Sequence, residues 1–278
     1  MEQKKIALLS CFFGKMPWYA EYFLHSCRYN STIDFYIFSD DNSLLAKLPE
    51  NVKLMPSTLE DINLLAARKL GFPVKIKSAY KLCDFKPAYG LIFADLLQSY
   101  DFWGYTDLDI IFGDIRAFFD DRLLNQYEII SCRADWLTGC FLLYKNTRKL
   151  NTLFTRSRDY KMVLSAETHY CFDETNFAHK EFSEGKTYRE AKTEIESMMH
   201  VVQKMTEEKK LKVSFDHYII EGCPGKLAWD NGKMFYRNKY EILLYHLIFF
   251  KKRYHPERVR AIPGKFKISP SRIYHRAH

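Results

Sequence analysis

Two aspartates one residue apart, Asp107 and Asp109, stand in the segment Trp103-Gly104-Tyr105-Thr106-Asp107-Leu108-Asp109-Ile110-Ile111-Phe112-Gly113-Asp114. Apolar residues run straight into two carboxylates and then continue. In open α/β sheets, ligands bind at the carboxyl ends of strands. Alternate side chains of an extended chain share a face, so Asp107 and Asp109 can converge. Two convergent carboxylates hold Mg²⁺ or Mn²⁺, hard ions that prefer oxygen ligands. Such an ion bridges phosphate oxygens and stabilises charge building on a diphosphate leaving group. A three-residue pattern arises by chance, and a surface turn would show the same letters. The apolar setting carries the weight here, because charges embedded in it need a compensating partner. Asp114 reads equally as a site residue or as a strand-to-loop turn.

The elements around this pair can be read from periodicity. Lys5 to Phe13 predicts a buried first strand that ends at Gly14. A loop with Pro17 and Trp18 leads to a helix ending near Arg28. Asp34 to Phe38 predicts a second strand, closed by Ser39-Asp40-Asp41, and Val52 to Met55 a third. Thr58 and Asp61 resemble a capping pair before the helical pattern Leu59, Ile62, Leu65, Ala66, which Gly71-Phe72-Pro73 stops. Pro87 suits the first turn of a helix continuing over Tyr89 to Leu97, where its missing N–H costs nothing. Phe102 to Tyr105 is then a strand delivering Asp107 and Asp109. Glu128 to Cys132 and Phe141 to Tyr144 are two more. Strands alternating with helices imply an α/β fold with a mainly parallel sheet and helices on both faces. Past about residue 150 the character changes. The Glu- and Lys-rich stretch 181–212 predicts one or two exposed helices, a lid or an insertion. Asp230-Asn231-Gly232 between Lys226–Trp229 and Lys233–Tyr236 is a strong hairpin signal.

With 278 residues, 47% hydrophobic and 27% charged, the chain fits one enlarged, well-cored domain. The 22 Phe and 19 Tyr are mostly core, though clustered rings could stack on sugars or bases. The formal charge of +8 suits an anionic partner. It concentrates in Lys251, Lys252, Arg253, Arg258, Arg260, Lys265, Lys267, Arg272 and Arg276, as either a solubilising tail or a docking surface. Seven cysteines without a C-x-x-C pair argue against a zinc or redox motif. The apolar runs at residues 6–13 and 243–250 are too short to span a membrane. A reduced, cytoplasmic protein is expected, with peripheral contact to an anionic membrane surface.

Three stretches in order resemble GT-A glycosyltransferases, in particular a bacterial group related to the family 8 and family 32 type enzymes. They are Tyr80-Lys81-Leu82-Cys83-Asp84-Phe85-Lys86-Pro87-Ala88-Tyr89-Gly90, the Asp107/Asp109 segment, and Thr138-Gly139-Cys140-Phe141-Leu142-Leu143-Tyr144. The likeness covers roughly residues 5–180 plus a C-terminal element. It implies the GT-A fold, a single catalytic domain over 1–278, with 1–150 the nucleotide-sugar half and 151–278 the acceptor half. It further implies that Ser10, Cys11, Phe12, Phe13 and Gly14 cup the base and ribose, with Asp40 nearby. Lys86 would sit near the donor, at a helix start suited to phosphate. Thr106, Asp107, Leu108 and Asp109 would line the diphosphate, and Gly139, lacking a Cβ, would face the transferred sugar. Asp173-Glu174, within His169-Tyr170-Cys171-Phe172-Asp173-Glu174, resembles an acidic motif facing the acceptor. Its carboxylates would deprotonate the acceptor in an inverting enzyme or orient substrates in a retaining one. His246 resembles a histidine that completes the metal site, and Lys252 a lysine near the diphosphate, although the Gly-x-x-Lys-Pro-Trp continuation is absent.

The function this implies is metal-assisted transfer of a sugar from a nucleotide donor, UDP-sugar first, to a hydroxyl of a glycan or lipid-linked glycan. Surface polysaccharide assembly at the inner face of a bacterial membrane is the setting it suggests. A nucleotidyltransferase or metal-dependent phosphohydrolase could use the same carboxylates. A sugar-nucleotide-forming enzyme would carry a Gly-rich loop after the first strand, which Phe13-Gly14-Lys15 does not supply. A non-catalytic binding protein is a third possibility. Basic and aromatic residues are not interleaved in a repeat, so no nucleic-acid partner is expected.

Overall fold

The computed structural model describes residues 3–257, 259 and 261–275. Arg258, Arg260 and Arg276 of the basic stretch lie outside the described residues. Along the chain the strands are β1 (Ile6–Cys11), β2 (Ile33–Ser39), β3 (Val52–Pro56), β4 (Phe102–Thr106), β5 (Ile110–Phe112), β6 (Ile129–Ser131), β7 (Phe141–Lys145) and β8 (Val213–Phe215). They continue with β9 (Ile219–Ile220), β10 (Leu227–Asp230), β11 (Lys233–Tyr236), β12 (Tyr240–Ile242), β13 (Leu244–His246), β14 (Lys265–Ile268) and β15 (Ile273–Tyr274).

The main sheet has seven strands in the order β3-β2-β1-β4-β7-β6-β8. Strands β3, β2, β1 and β4 pair in parallel, β7 is antiparallel to β4 and β6, and β8 is parallel to β6. The reason for this architecture is visible in β1, where Ile6, Ala7, Leu8 and Leu9 are all buried. A strand apolar on both faces needs cover on both. Ile6 and Leu8 pack with Phe23, Leu24 and Cys27 of helix Ala20–Arg28. Ala7 and Leu9 face the opposite way, with Ile62 and Ala66 of helix Leu59–Leu70. This is the mainly parallel α/β arrangement with helices on both faces that the sequence predicts.

Helix Leu59–Leu70 has the capping box expected of Thr58 and Asp61, with Asp61 N donating to Thr58 Oγ1 at 3.1 Å and Thr58 N to Asp61 Oδ2 at 2.8 Å. It stops at Gly71, with φ 79°. Asn231 (φ 47°) and Gly232 (φ 92°) turn the β10–β11 hairpin, the left-handed pair that a tight hairpin requires.

Three expectations are corrected. Pro87 does not open a helix: it lies inside a 3₁₀ helix, Ala79–Ala88, and the α-helix after it spans only Tyr89–Ile92. The missing N–H of Pro87 falls near the end of this 3₁₀ helix, so the chain coils before Pro87 rather than after it. Residues 181–212 are exposed only in part. Helix Met198–Glu207 buries Met198, Met199, Val201 and Val202 in the same core as Leu9 and Trp103, each such side chain contributing roughly 1.5–3 kcal/mol. The basic stretch is not a solvated tail. Lys251 and Lys252 lie in a 3₁₀ turn, and residues 265–268 and 273–274 form β14 and β15 in a five-stranded sheet, β12-β11-β10-β14-β15, where Phe266, Ile268 and Ile273 pack with Trp229 and Met234. Tyr22 and Ile111 join this cluster, which ties the C-terminal sheet to the rest of the domain. No helix among the described residues is long and apolar enough to cross a membrane. All seven cysteines are free thiols.

Candidate active site

A three-stranded sheet, β5-β13-β9, does the positioning. Asp107 and Asp109 occupy the turn between β4 and β5. Pairing of β13 with β5 sets His246 opposite Ile110, next to Asp109, and Leu247 N donates to Asp109 O at 2.8 Å. Pairing of β13 with β9 sets Tyr245 opposite Ile220, which carries Glu221 to the far side of His246. The result is a row: Asp109 Oδ2 to His246 Nε2 at 3.4 Å, then His246 Nδ1 to Glu221 Oε1 at 2.8 Å. Arg133 continues it, at 2.6 Å from Glu221 Oε2, with Asp135 at 2.9 Å and the Trp136 ring 3.7 Å from the guanidinium.

One oxygen from each aspartate and one nitrogen of His246 all lie within 4.8 Å of one another. Two lysines flank them. Lys86 Nζ donates to Asp107 Oδ1 and to Gly139 O, both at 2.7 Å. Lys251 Nζ donates to Asp109 Oδ2 at 2.7 Å. Burial penalises the charge on Lys86, but Asp107 and Asp173 beside it outweigh that and push its pKa well up. Burial also works against Asp109 ionising, yet His246 and Lys251 hold its carboxyl below the usual range. Burial opposes a charged His246, and its bonds to Asp109 and Glu221 reverse the balance, raising it to about 10. The Asp109–His246–Glu221 row stores a proton, while Asp107, Asp109 and His246 together can present two oxygens and a nitrogen to a divalent ion.

On the facing wall, Asp173 and Glu174 close around Gly139. A Cβ at Gly139 would lie 2.5 Å from Asp173 Oδ2 and 3.0 Å from Glu174 Oε1, so the missing side chain is room for these carboxylates. Gly139 N donates to Glu174 Oε1 at 2.5 Å. Glu174 Oε2 lies 2.7 Å from His179 Nε2 and takes the Cys171 thiol at 3.4 Å. Burial alone would raise Glu174, but His179 and the Gly139 N–H hold it below its ordinary value. Asp173 goes the other way: burial pushes it well up, and the charges of Glu174, Asp84 and Asp107 add to this against Lys86. Neighbouring carboxyls with separated proton affinities are the usual arrangement of an acid–base pair.

Apart from Asp135 and Asp84, these groups line one cleft of about 650 Å³, a typical small-molecule site. Its lining includes Ser10, Cys11, Phe12, Lys86, Thr106, Asp107, Leu108, Asp109, Gly139, Asp173, Glu174 and His246. Four predicted residues fall outside it. Asp40 is exposed and its carboxylate accepts from Gly14 N at 2.8 Å, so Asp40 and Gly14 build a turn, with Phe13 beside it. Lys252 is exposed over the Phe249 ring, and Lys251 takes the inward position one residue earlier. Lys86 reaches the site through its ammonium, not through a helix start. Asp114 caps a short helix by accepting from Ala117 N at 3.1 Å. Lys251, Glu221, Arg133 and His179 were not anticipated, since only strand register and loop path bring them here. A second cavity, about 680 Å³, lies on the C-terminal sheet; its lining, Lys226, Arg237 and Lys267 among others, includes no Asp, Glu, His or Cys among the described residues.

Solved structures similar to this chain include glycosyltransferases. Mouse xyloside xylosyltransferase 1 is 12% identical, with 87% of this chain and 97% of that one covered and a TM-score of 0.45. The galactosyltransferase LgtC, in complex with donor and acceptor sugar analogues, is 14% identical over 78% of this chain and 75% of that one, with a TM-score of 0.34. The glycosyltransferase GlyE in Streptococcus pneumoniae TIGR4 is 14% identical over 77% of this chain and 46% of that one, with a TM-score of 0.37. No curated protein matches the sequence. The model of the family of unknown function DUF6625 matches residues 8–277, and the chain belongs to that family.

Proposed function

We propose that this chain transfers a glycosyl unit from a nucleotide-diphosphate donor, a UDP-sugar in the first instance, to a hydroxyl of a glycan or lipid-linked glycan. The observation that carries the reading is the Asp107–Asp109–His246 triad, its ligand atoms within 4.8 Å, in a cleft flanked by two ammonium groups. Two carboxylates and an imidazole suit Mn²⁺ or Mg²⁺, so the donor set fits the ion that the GT-A resemblance implies. Bound there, the ion supplies positive charge against the oxygens of the leaving diphosphate. Glu221 holds His246 Nδ1 and so aims Nε2 at Asp109. Lys86 and Lys251 add two fixed positive charges where the diphosphate accumulates negative charge. Residues 1–150 contribute Ser10, Cys11 and Phe12 to the donor end, and residues 151–278 contribute the acceptor wall and close the triad.

Asp173 and Glu174 divide the acceptor work. Three hydrogen bonds fix Glu174 in place, and those from His179 and Gly139 N–H lower its basicity, so it orients. Asp173, with the raised proton affinity, exchanges a proton with the acceptor hydroxyl. The test is calorimetric titration of UDP and GDP with and without Mn²⁺. Binding that requires the metal and disappears in Asp107→Ala and Asp109→Ala supports the reading; binding that persists unchanged in both refutes it. Product analysis separates the chemistry. Nucleoside diphosphate released from a nucleotide-sugar is expected, whereas pyrophosphate or phosphate from a nucleoside triphosphate would point to nucleotidyl transfer or phosphohydrolysis.

A further inference from the structure

The rim of the cleft beside Asp173 and Glu174 carries aromatic rings that the core does not use. Tyr80 is 66% exposed and Phe177 57% exposed, although large apolar rings normally gain by burial. Both line the cleft, with His169 between them. The Tyr80 and His169 ring centroids are 4.4 Å apart, and those of His169 and Phe177 5.6 Å, each pair edge to face. His169 is anchored from below: its Nδ1 lies 3.1 Å from Asp84 Oδ1, and Asp84 is bonded to the buried Lys81 at 2.8 Å.

Phe177 is held outward at a conformational cost. The loop 171–177 contains three non-glycine residues with positive φ: Cys171 (52°), Asn176 (54°) and Phe177 (66°). For a bulky side chain this region is an outlier that persists only where the surroundings enforce it. Asn176 does the enforcing. Its Nδ2 donates to Tyr170 O at 2.8 Å, its Oδ1 accepts from Glu194 N at 2.7 Å, and its own N–H donates to Cys171 O at 2.9 Å. A strained loop that displays a ring to solvent, next to a carboxylate pair, gains nothing for the fold.

We infer that Tyr80 and Phe177, braced by the His169 ring between them, form an aromatic stacking platform for the acceptor, and that this acceptor is an uncharged pyranoside. The inference rests on the proposed sugar-transfer reading and specifies its acceptor. Aromatic faces pack against the apolar C–H face of a pyranose, and the carboxyls of Asp173 and Glu174 at the end of the platform bond its hydroxyls. The charge balance selects a neutral ring. Lys81 is spent on Asp84 and on the carbonyls of Val163 and Thr168. Lys86 and Arg133 are spent on Asp107, Gly139, Asp135 and Glu221. A phosphate or carboxylate substituent would therefore meet Asp173 and Glu174 with no free lysine or arginine at that wall among the described residues that line the cleft.

The experiment applies the full chain, with UDP and Mn²⁺, to an immobilised array of neutral and anionic glycans. Neutral glycans should be retained, and retention should fall at least tenfold in Tyr80→Ala and Phe177→Ala and persist in Phe177→Trp. Metal-dependent UDP binding should be unchanged in all three. Phe177→Gly, which relieves the backbone, should lose retention yet unfold at a higher urea concentration than the parent. A ring kept only for structure would do the opposite. Retention of no glycan, retention of anionic glycans alone, or Tyr80→Ala and Phe177→Ala variants that bind like the parent, overturns the platform. Absence of UDP binding in the parent chain overturns the sugar-transfer reading instead.

Discussion

Buried charge is costly unless each group has a partner, and the cleft is organised around that constraint. Asp109, His246 and Glu221 share their charges in one row, and Glu221 determines which imidazole nitrogen faces Asp109. In Glu221→Gln that orientation weakens. Mn²⁺ affinity is expected to fall about 10–100-fold by calorimetry, the usual effect of losing such a supporting group. Unchanged affinity would show that Glu221 does not act through His246. Asp84 obeys the same rule away from the triad. Burial would raise its carboxyl, but His169 and Lys81 hold it below the ordinary range. A depressed folded-state pKa contributes stability above the ordinary carboxylate value of about 3.9, and that contribution is lost as pH falls through the folded value. Urea midpoints should therefore drop steeply in acid below about pH 4. In Asp84→Asn this acid limb should flatten, while stability at neutral pH falls by about 3–5 kcal/mol because Lys81 is left buried without a counter-ion.

Elements matter here through what they bury as much as through their type. Helix Met198–Glu207 begins in a segment rich in Glu and Lys, and its exposed face is polar, yet its first turn inserts two methionines into the main core. Met198→Ala should cost about 2–5 kcal/mol in urea unfolding. Lys204→Ala on the solvent face should change stability by no more than about 0.5 kcal/mol. Equal, small effects would return the helix to the status of a surface insertion. The short strands β5, β9 and β13 are too brief to be independently stable. They form because their side chains, such as Ile110, Phe112, Ile219 and Leu244, are shared with the core beneath the main sheet. That dependence is what makes the His246 register reliable.

At the scale of the whole molecule, the cleft draws its lining from residues between Leu9 and Lys251, so ligands bound across it should stabilise the fold. Mn²⁺ and UDP together at 100-fold over their dissociation constant add about 2.7 kcal/mol. For a domain of this size that is a rise of roughly 5–10 °C in Tm. Thermal unfolding should reveal this rise in the parent and its absence in Asp109→Ala. Much of this organisation was legible in the sequence, because some signals are local. The apolar run of β1, the Thr58–Asp61 cap, the Asn231-Gly232 turn and the Asp107/Asp109 pair each depend on neighbours within a few residues. What only the tertiary structure decided is long-range. Nothing local distinguishes Lys251 from Lys252, since one residue of a 3₁₀ turn separates the inward ammonium from the exposed one. Glu221 becomes a partner of His246 only through strand register across 25 residues. The Glu- and Lys-rich stretch reads as solvated because composition averages over a helix, whereas packing acts on the one face that meets the core.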